Sequence, residues 1–204
     1  SPYSYIKGAM GIYVNRFDEI LFCDTENNRI RKIDTNGILS TIAGNGLSGL
    51  AGNGELANGS NTMINRPKEV VIDSGDNIYI VDSENNAIRK INTFGIISTI
   101  VGSGTPSFHG DGGLATAATL ANPYDIFVDI IGNVYISDTN NYRIRKIDTN
   151  GIISTIAGTG MSIYSGDGGL AMDASFANPC GLFVDTIDNI YVADFHDNRI
   201  RKID

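Results

Sequence analysis

Residues able to do acid–base or metal chemistry are few in this 204-residue sequence, and they are scattered. Its two histidines, His109 and His196, stand in unlike contexts with no repeated His-metal spacing. A structural zinc or a catalytic three-ligand set would need further ligands converging from remote loops, so surface or hydrogen-bonding imidazoles are the simpler reading. Asp111 and Asp167 lie in glycine loops, Gly110-Asp111-Gly112-Gly113 and Gly166-Asp167-Gly168-Gly169, where a hard oxygen invites Ca²⁺. One carboxylate per loop is sparse for a cation that takes about six to eight oxygens, and the corresponding position of the first loop is Asn53. Aspartates accepting hydrogen bonds from their own turn backbone are expected there. No metal and no cofactor are therefore predicted. No Ser-His-Asp order stands out, because Ser and Asp recur throughout. The glycine loops lack a Gly-Lys-Ser/Thr ending and lead into strands, which is the wrong context for a phosphate cradle.

The formal charge of −8 disfavours a nucleic-acid backbone as partner. Basic pairs recur at Arg31-Lys32, Arg89-Lys90, Arg145-Lys146 and Arg201-Lys202. Each sits in an alternating strand diluted by acidic neighbours, and solvated strand faces are expected. Cys23 and Cys180 occupy different places in the repeat, so a disulfide forms only if distant segments meet, and the pair does not fix a redox compartment. Neither a secretory leader nor an apolar run of about 18 residues is visible, so membrane insertion is not expected. The start at Ser1-Pro2 is consistent with upstream sequence having been removed.

What must position these groups is a repeat. Four registers begin with apolar strands at Ile12-Val14, Val70-Ile72, Ile126-Val128 and Leu182-Val184. In each, a polar turn follows, then a second strand ending in Asp24, Asp82, Asp138 or Asp194, spaced 58, 56 and 56 residues apart. In the third unit Asn133–Asp138 reads as the second strand, Arg143–Ile147 as the third and Ile153–Ala157 as the fourth. Four short strands joined by tight turns make an antiparallel meander and not βαβ crossovers. A sheet with two apolar faces buries both only when neighbouring sheets stack around an axis. The expected fold is thus an all-β propeller of about four four-stranded blades, a single body over 1–204 with units at approximately 9–66, 67–122, 123–178 and 179–204. The long connections carry an Ala/Leu segment suited to one helical turn, followed by Pro123 or Pro179.

Phase fixes the ends. Ile6-Lys7-Gly8-Ala9 aligns with Leu120-Ala121-Asn122-Pro123, and Ile203-Asp204 aligns with Ile147-Asp148, so blade 4 is expected to lack its outer strand. Tyr3–Lys7 cannot supply that strand, because the outer edge lies about 14 Å from the inner strand those residues lead into. Three outcomes stay open: a segment of a longer propeller, several chains assembling through open blade edges, or four blades closing alone.

The segments Asp24–Ile33, Asp138–Ile147 and Asp194–Ile203 resemble NHL repeats, as does Asp82–Ile91 with Ala87 in place of a basic residue. With their long glycine connections, the units are similar to the bacterial and extracellular long-loop variety. The resemblance implies a propeller, usually six-bladed, an extracellular or periplasmic location, and binding of protein, peptide, RNA or glycan; a few such propellers are metal-dependent lyases or hydrolase-like enzymes. It also implies that Asp24, Asp82, Asp138 and Asp194, with Asn27, Asn85, Asn141 and Asp197, organise the turn after the second strand, in keeping with short carboxylates and amides capping backbone N–H groups.

Propeller geometry is expected to set the turns between second and third strands on the same face as the interblade loops, so that His109, Asp111, Tyr164, Asp167, Phe195 and His196 share one side with Tyr142 and Asn86. His109, Tyr142, Tyr164, Phe195 and His196 are the candidate ligand contacts, with Phe195 alternatively covering the end of its blade. A non-enzymatic scaffold recognising protein or peptide, or assembling with itself, is the function expected; a metal-dependent lyase or hydrolase-like enzyme and glycan or RNA binding are the alternatives.

Overall fold

The computed structural model describes residues 5–204. Blade 1 is built from β1 (Ala9–Val14), β2 (Ile20–Asp24), β3 (Arg29–Ile33) and β4 (Leu39–Ala43). Blade 2 follows with β5 (Val70–Ile72), β6 (Ile78–Asp82), β7 (Ala87–Ile91) and β8 (Ile97–Val101). Blade 3 comprises β9 (Ile126–Val128), β10 (Val134–Asp138), β11 (Arg143–Ile147) and β12 (Ile153–Ala157), and blade 4 has three strands, β13 (Pro179–Val184), β14 (Ile190–Asp194) and β15 (Arg199–Ile203). Every sheet is an antiparallel meander in chain order, and together they make a β-propeller. The lead into blade 1 keeps the expected phase: the Lys7 amide donates to Asp24 at 2.8 Å as Ala121 does to Asp138. Tyr3 lies outside the described residues.

Local chemistry explains the connections. In the first hairpin of blade 2, Asp73 accepts the amides of Gly75 and Asn77, both at 2.9 Å, and the Tyr79 hydroxyl at 3.1 Å; Asp129 and Asp185 repeat the device. The second connection is one 3-10 turn ended by a left-handed residue, Asn28, Asn86 or Tyr142, with φ of 51°, 49° and 55°. Gly102, just past β8, packs so closely on that turn that a Cβ would lie 2.1 Å from the Asn86 carbonyl oxygen, and Gly158 repeats the approach at 2.4 Å from Tyr142. The Ala/Leu segments form 3-10 turns at Ala115–Ala117 and Ala171–Asp173.

The core lies between blades. One cluster joins Leu21, Cys23 and Ile30 of blade 1 to Val70, Ile80 and Ile97 of blade 2. The next joins Val81 and Ile88 to Ile126, Ile136 and Ile153, and a third joins Tyr135 and Ile144 to Leu182 and Val192. Cys23 and Cys180 are free thiols.

The basic pairs correct the sequence expectation. Arg89 and Arg145 are fully buried and Arg31 and Arg201 nearly so, while the lysines stay half-buried or exposed. The strands do alternate, but the arginine face is covered by the interblade loop, whose acceptors are distant in sequence.

The repeat supplies its own control on burial. Ile30, Ile88, Ile144 and Ile200 share one register, opposite Cys23, Val81, Ser137 and Ala193, yet the first three are 0% exposed and Ile200 is 73% exposed. Truncating Ile88 to alanine is expected to destabilise the chain by about 2–5 kcal/mol, whereas Ile200→Ala is expected to cost less than about 0.5 kcal/mol. Urea unfolding of the two variants measures the difference.

Candidate binding face and the clasps that position it

The loops before blades 2 and 3 start on the upper face, where Asn85 Nδ2 donates to the Gly49 carbonyl at 2.7 Å and Asn141 Nδ2 to that of Ser107 at 3.0 Å. The loop before blade 3 then descends the outer flank, where the Gly112 and Ala115 amides donate to the Ile153 and Gly151 carbonyls, both at 2.8 Å, and returns to place Ala121 on Asp138. Halfway down, the loop meets the buried arginine of the next blade. Asp111 accepts Arg145 Nη2 at 2.6 Å and the Thr155 hydroxyl at 2.6 Å. Asp167 pairs with Arg201 at 2.7 Å and accepts the Tyr164 hydroxyl. Asn53 receives Arg89 Nη2 and the Thr99 hydroxyl, both at 3.1 Å.

Two expectations change as a result. The donors to Asp111 come from the blade ahead and not from its own turn. Asp111 also sits on the flank beside β11 and β12, so it does not share the upper face with Phe195 and His196. Asn53 stands in for aspartate because the site needs an acceptor oxygen for a guanidinium and a hydroxyl, which an amide also provides.

From the inner side the same arginines meet the strand-ending aspartates: Arg89 to Asp82 at 3.3 Å and Arg145 to Asp138 at 3.2 Å, with every side chain fully buried. Asp82 also accepts the Asn65 amide and Asn85 Nδ2, and Asp138 the Ala121 amide and Asn141 Nδ2. Asp24 takes Asn27 Nδ2, and Asp194 takes the amides of Ala177 and Asn178. Burial pushes Asp82 and Asp138 up to about 6 despite these donors, and it lowers Arg89. Among the described residues the hydrogen bond of Asp197 is a backbone one, its carbonyl accepting Arg199 Nη1 at 3.1 Å, while its buried Oδ2 has no partner.

On the upper face, a second arginine row carries aromatic rings. Arg143 lies 3.8 Å from the Phe108 ring centre while its Nη2 donates to the Thr159 carbonyl at 2.7 Å. Arg199 lies 3.9 Å from the Tyr164 ring. At the same registers, the first loop and blade 2 have Leu50 and Ala87. Tyr164 thus belongs to a repeated pair whose other ring, Phe108, goes unnoticed in sequence beside the more conspicuous His109; the shared loop register with Tyr164 is the signal that identifies it. Phe108 and Tyr164 keep 40% and 39% exposure. His109 is exposed, and its carbonyl accepts Arg145 Nη2 at 3.5 Å. Tyr142 is half-buried in its left-handed position. Phe195 and His196 are exposed neighbours with ring centres 5.6 Å apart. Tyr164 is thus tied to Arg199 of blade 4, Phe195 and His196 form a separate pair in the second turn of that blade, and His109 is tied to Arg145 of blade 3, whose second turn ends at Tyr142. Phe195 also stands where Thr25 and Thr139 donate to the Pro67 and Pro179 carbonyls of the next blade, both at 2.7 Å.

Titratable groups also collect where the inner strands begin. Glu69 and Asp125 occupy the register of Gly11 and Gly181, and Asp125 accepts the Leu182 amide of blade 4 at 2.6 Å. Burial raises Glu69 to about 7 and Asp125 to about 6. Among the described residues no group of three or more His, Cys, Asp or Glu side chains is arranged to hold a metal ion, and no helix is long and apolar enough to cross a membrane.

Comparison with known proteins places this geometry in context. The family described as "Teneurin NHL domain" matches residues 105–163. Chicken (Gallus gallus) Teneurin-1 is 32% identical over 97% of this chain, human Teneurin-4 is 31% identical over 97%, and Drosophila melanogaster Teneurin-m is 28% identical over 95%. The chain spans only 8% of the length of each of these relatives. Among solved structures, a Bacteroides thetaiotaomicron protein of unknown function superposes with a TM-score of 0.75 at 25% identity, covering 95% of this chain and 46% of that one. A chain of the nidogen/laminin complex gives 0.65 at 17% identity, covering 97% and 61%, and a streptogramin B lyase 0.66 at 16%, covering 98% and 53%; these two share the fold.

Two measurements probe the clasps. Asp138→Ala leaves the buried Arg145 without its inner partner and is expected to cost about 3–5 kcal/mol, whereas Asp111→Asn, which copies Asn53, is expected to cost about 1 kcal/mol or less; chemical denaturation compares them. For Glu69, a folded-state value above the unfolded one means that its contribution is fully present below its ordinary value near 4.5 and is lost as pH rises through about 7. Glu69→Gln is therefore expected to reduce the fall in melting temperature between mildly acidic and mildly alkaline buffer.

Proposed function

The chain belongs to the NHL-repeat β-propellers, and from that premise we propose that it is a non-enzymatic binding scaffold whose upper face recognises a protein or peptide segment. The observation that carries this reading is the pair of guanidinium-backed rings, Phe108 on Arg143 and Tyr164 on Arg199. A ring already fixed by a cation–π contact worth about 0.5–2 kcal/mol loses little freedom when a partner covers it. On this reading Tyr142, Phe195, His109 and His196 add further aromatic and hydrogen-bonding surface to the same face, in the manner of interface anchors. Similarity to teneurin segments supports the non-enzymatic part of this reading. The lyase reading draws only on fold, at 16% identity.

Self-association is a second reading, favoured by exposed apolar side chains on blades 1 and 4. Ile12 and Val14 of blade 1 are 70% and 57% exposed, and Phe183 and Ile200 of blade 4 are 56% and 73% exposed, apolar surface of the kind that marks association sites.

Peptides selected from a random library against the chain test the first reading. Phe108→Ala and Tyr164→Ala are each expected to weaken a selected peptide by about 5- to 30-fold, while Ile130→Ser in the lower-face hairpin is expected to leave it unchanged. Peptides that respond only to Ile130→Ser would place recognition on the other side. Turnover abolished by His109→Ala or His196→Ala would support the enzyme instead, and RNA affinity falling steeply with salt would support nucleic acid.

A further inference from the structure

Five asparagines in this chain are followed directly by glycine: Asn36, Asn45, Asn53, Asn58 and Asn150. A glycine amide beside an asparagine is well set to attack the side-chain carboxamide, because no Cβ obstructs the approach. An amide nitrogen whose N–H is already held by an acceptor is not free to do so. Four of the five are held in this way. Gly37 donates to the Asp34 carbonyl at 2.9 Å, Gly54 to that of Ile97 at 2.8 Å, Gly59 to that of Leu56 at 2.9 Å and Gly151 to that of Asp148 at 2.9 Å. The Gly46 amide donates to no group among the described residues.

Asn45 is also met by the groups that such an attack needs. Its Oδ1 accepts the Leu47 amide at 2.8 Å, which folds the side chain back over its own backbone and draws electron density from Cγ. Its Nδ2 donates to the Ser60 carbonyl at 2.7 Å. Its backbone carbonyl, conjugated with the Gly46 nitrogen, accepts Arg29 Nη2 at 2.8 Å. The guanidinium lies so close to this peptide that a Cβ on Gly46 would stand 2.6 Å from Arg29 Cζ. A cation on that carbonyl stabilises the amidate formed when the Gly46 nitrogen loses its proton. The repeat again supplies a comparison. Arg143 Nη2 donates to the Thr159 carbonyl at 2.7 Å in the same way, but Ser103 and Thr159, which hold the Asn45 register before Gly104 and Gly160, have no side-chain carbonyl to attack.

We propose that Asn45 is a self-modification site, at which the folded chain converts its own asparagine to isoaspartate and aspartate through a cyclic imide. The Gly46 nitrogen gives its proton to solvent and bonds to Asn45 Cγ. The Cγ–Nδ2 bond breaks, and Nδ2 takes up a proton and leaves as ammonia past the Ser60 carbonyl. Water then opens the imide ring. Cleavage at Cγ yields aspartate, and cleavage at the backbone carbonyl yields isoaspartate, with the chain rerouted through the side chain. Ammonia leaves, water enters, and nothing is oxidised or reduced. Asn45 is half-buried, so water reaches the ring. The product puts a carboxylate where the Nδ2 donor stood, which breaks the side-chain tie between the start of the loop and Ser60 and adds a negative charge near Arg29.

The test incubates the purified chain for several weeks in mildly alkaline buffer and follows each Asn-Gly pair by peptide mass spectrometry, with a carboxyl methyltransferase specific for isoaspartate as a second readout. In the folded chain, conversion at Asn45 is expected to run at least about 10-fold faster than at Asn36, Asn53, Asn58 and Asn150. In urea, where the fold no longer restrains any of them, the five are expected to react at similar rates. Arg29→Ala is expected to slow the reaction at Asn45 about 5-fold, and Asn45→Ser, which copies Ser103, to remove the isoaspartate signal. Circular dichroism confirms that each variant stays folded, and the comparison of folded with unfolded chain needs no variant. Conversion at Asn45 no faster than at Asn36 or Asn150 in the folded chain would overturn the proposal, as would a preference for Asn45 that persists in urea or an unchanged rate in folded Arg29→Ala. The readout is a covalent change, so it stands or falls separately from peptide recognition by the upper face.

Discussion

Everything in this propeller is arranged around guanidinium groups taken out of water. Arg89 and Arg145 have no solvent exposure, and a buried cation is costly unless its charge is met by a well-placed partner. Each is met twice, by the aspartate that ends the second strand of its own blade and by the Asp or Asn of the loop that comes before. That double demand dictates the path of the connection. A short hairpin from blade to blade would leave the outer nitrogens without acceptors, so the loop travels down the flank, and its glycines permit the close approach. The threonine opposite each arginine then completes the set, because the irregularity between the third and fourth strands in blades 2 and 3 brings Thr99 and Thr155 into register with Arg89 and Arg145.

Apolar packing supplies the bulk of the stabilisation and the arginines supply the alignment. The clusters between blades are rich in isoleucine, a side chain whose stiff χ1 suits a pleated surface. Such surfaces are greasy enough to stack at many angles. A carboxylate that must reach a given guanidinium through a given loop removes that freedom, which is the best-attested use of buried polar groups. The aromatic row above is a by-product of the same architecture. Where the loop presents a ring and the strand an arginine, as with Phe108 and Arg143, the two stack; where the loop presents Leu50, the strand presents Ala87.

Much of the fold was legible in the sequence because the repeat displays it several times over. The strand-ending aspartates gave the period, Gly8 and Asn122 gave the phase at the start, and the short β-branched and aromatic run of Asn133–Asp138 between turn residues gave strands and not helices. The extent of blade 4 followed from aligning Ile203 with Ile147. The clasp was illegible for a definite reason. An Arg-Lys pair in an alternating strand has the local signature of a wet face, and what reverses it is a residue 34 positions earlier. The recurrence of an Asp or Asn 34 or 36 positions before each arginine, Asp111 before Arg145, Asn53 before Arg89 and Asp167 before Arg201, is the trace such a contact leaves in one sequence. The candidate contacts divided in the same way: Tyr164 was conspicuous as a tyrosine in a glycine loop, whereas Phe108 and its arginine mattered only as a pair.

The direction of the clasp bears on how the protein is made. Every loop acceptor precedes its guanidinium in the chain, Asn53 before Arg89, Asp111 before Arg145 and Asp167 before Arg201. A ribosome delivers the chain from its amino end, and structure forms in that order during synthesis. The receiving oxygen has therefore already left the exit tunnel when the cation that needs it emerges, so each sheet is born beside a finished template.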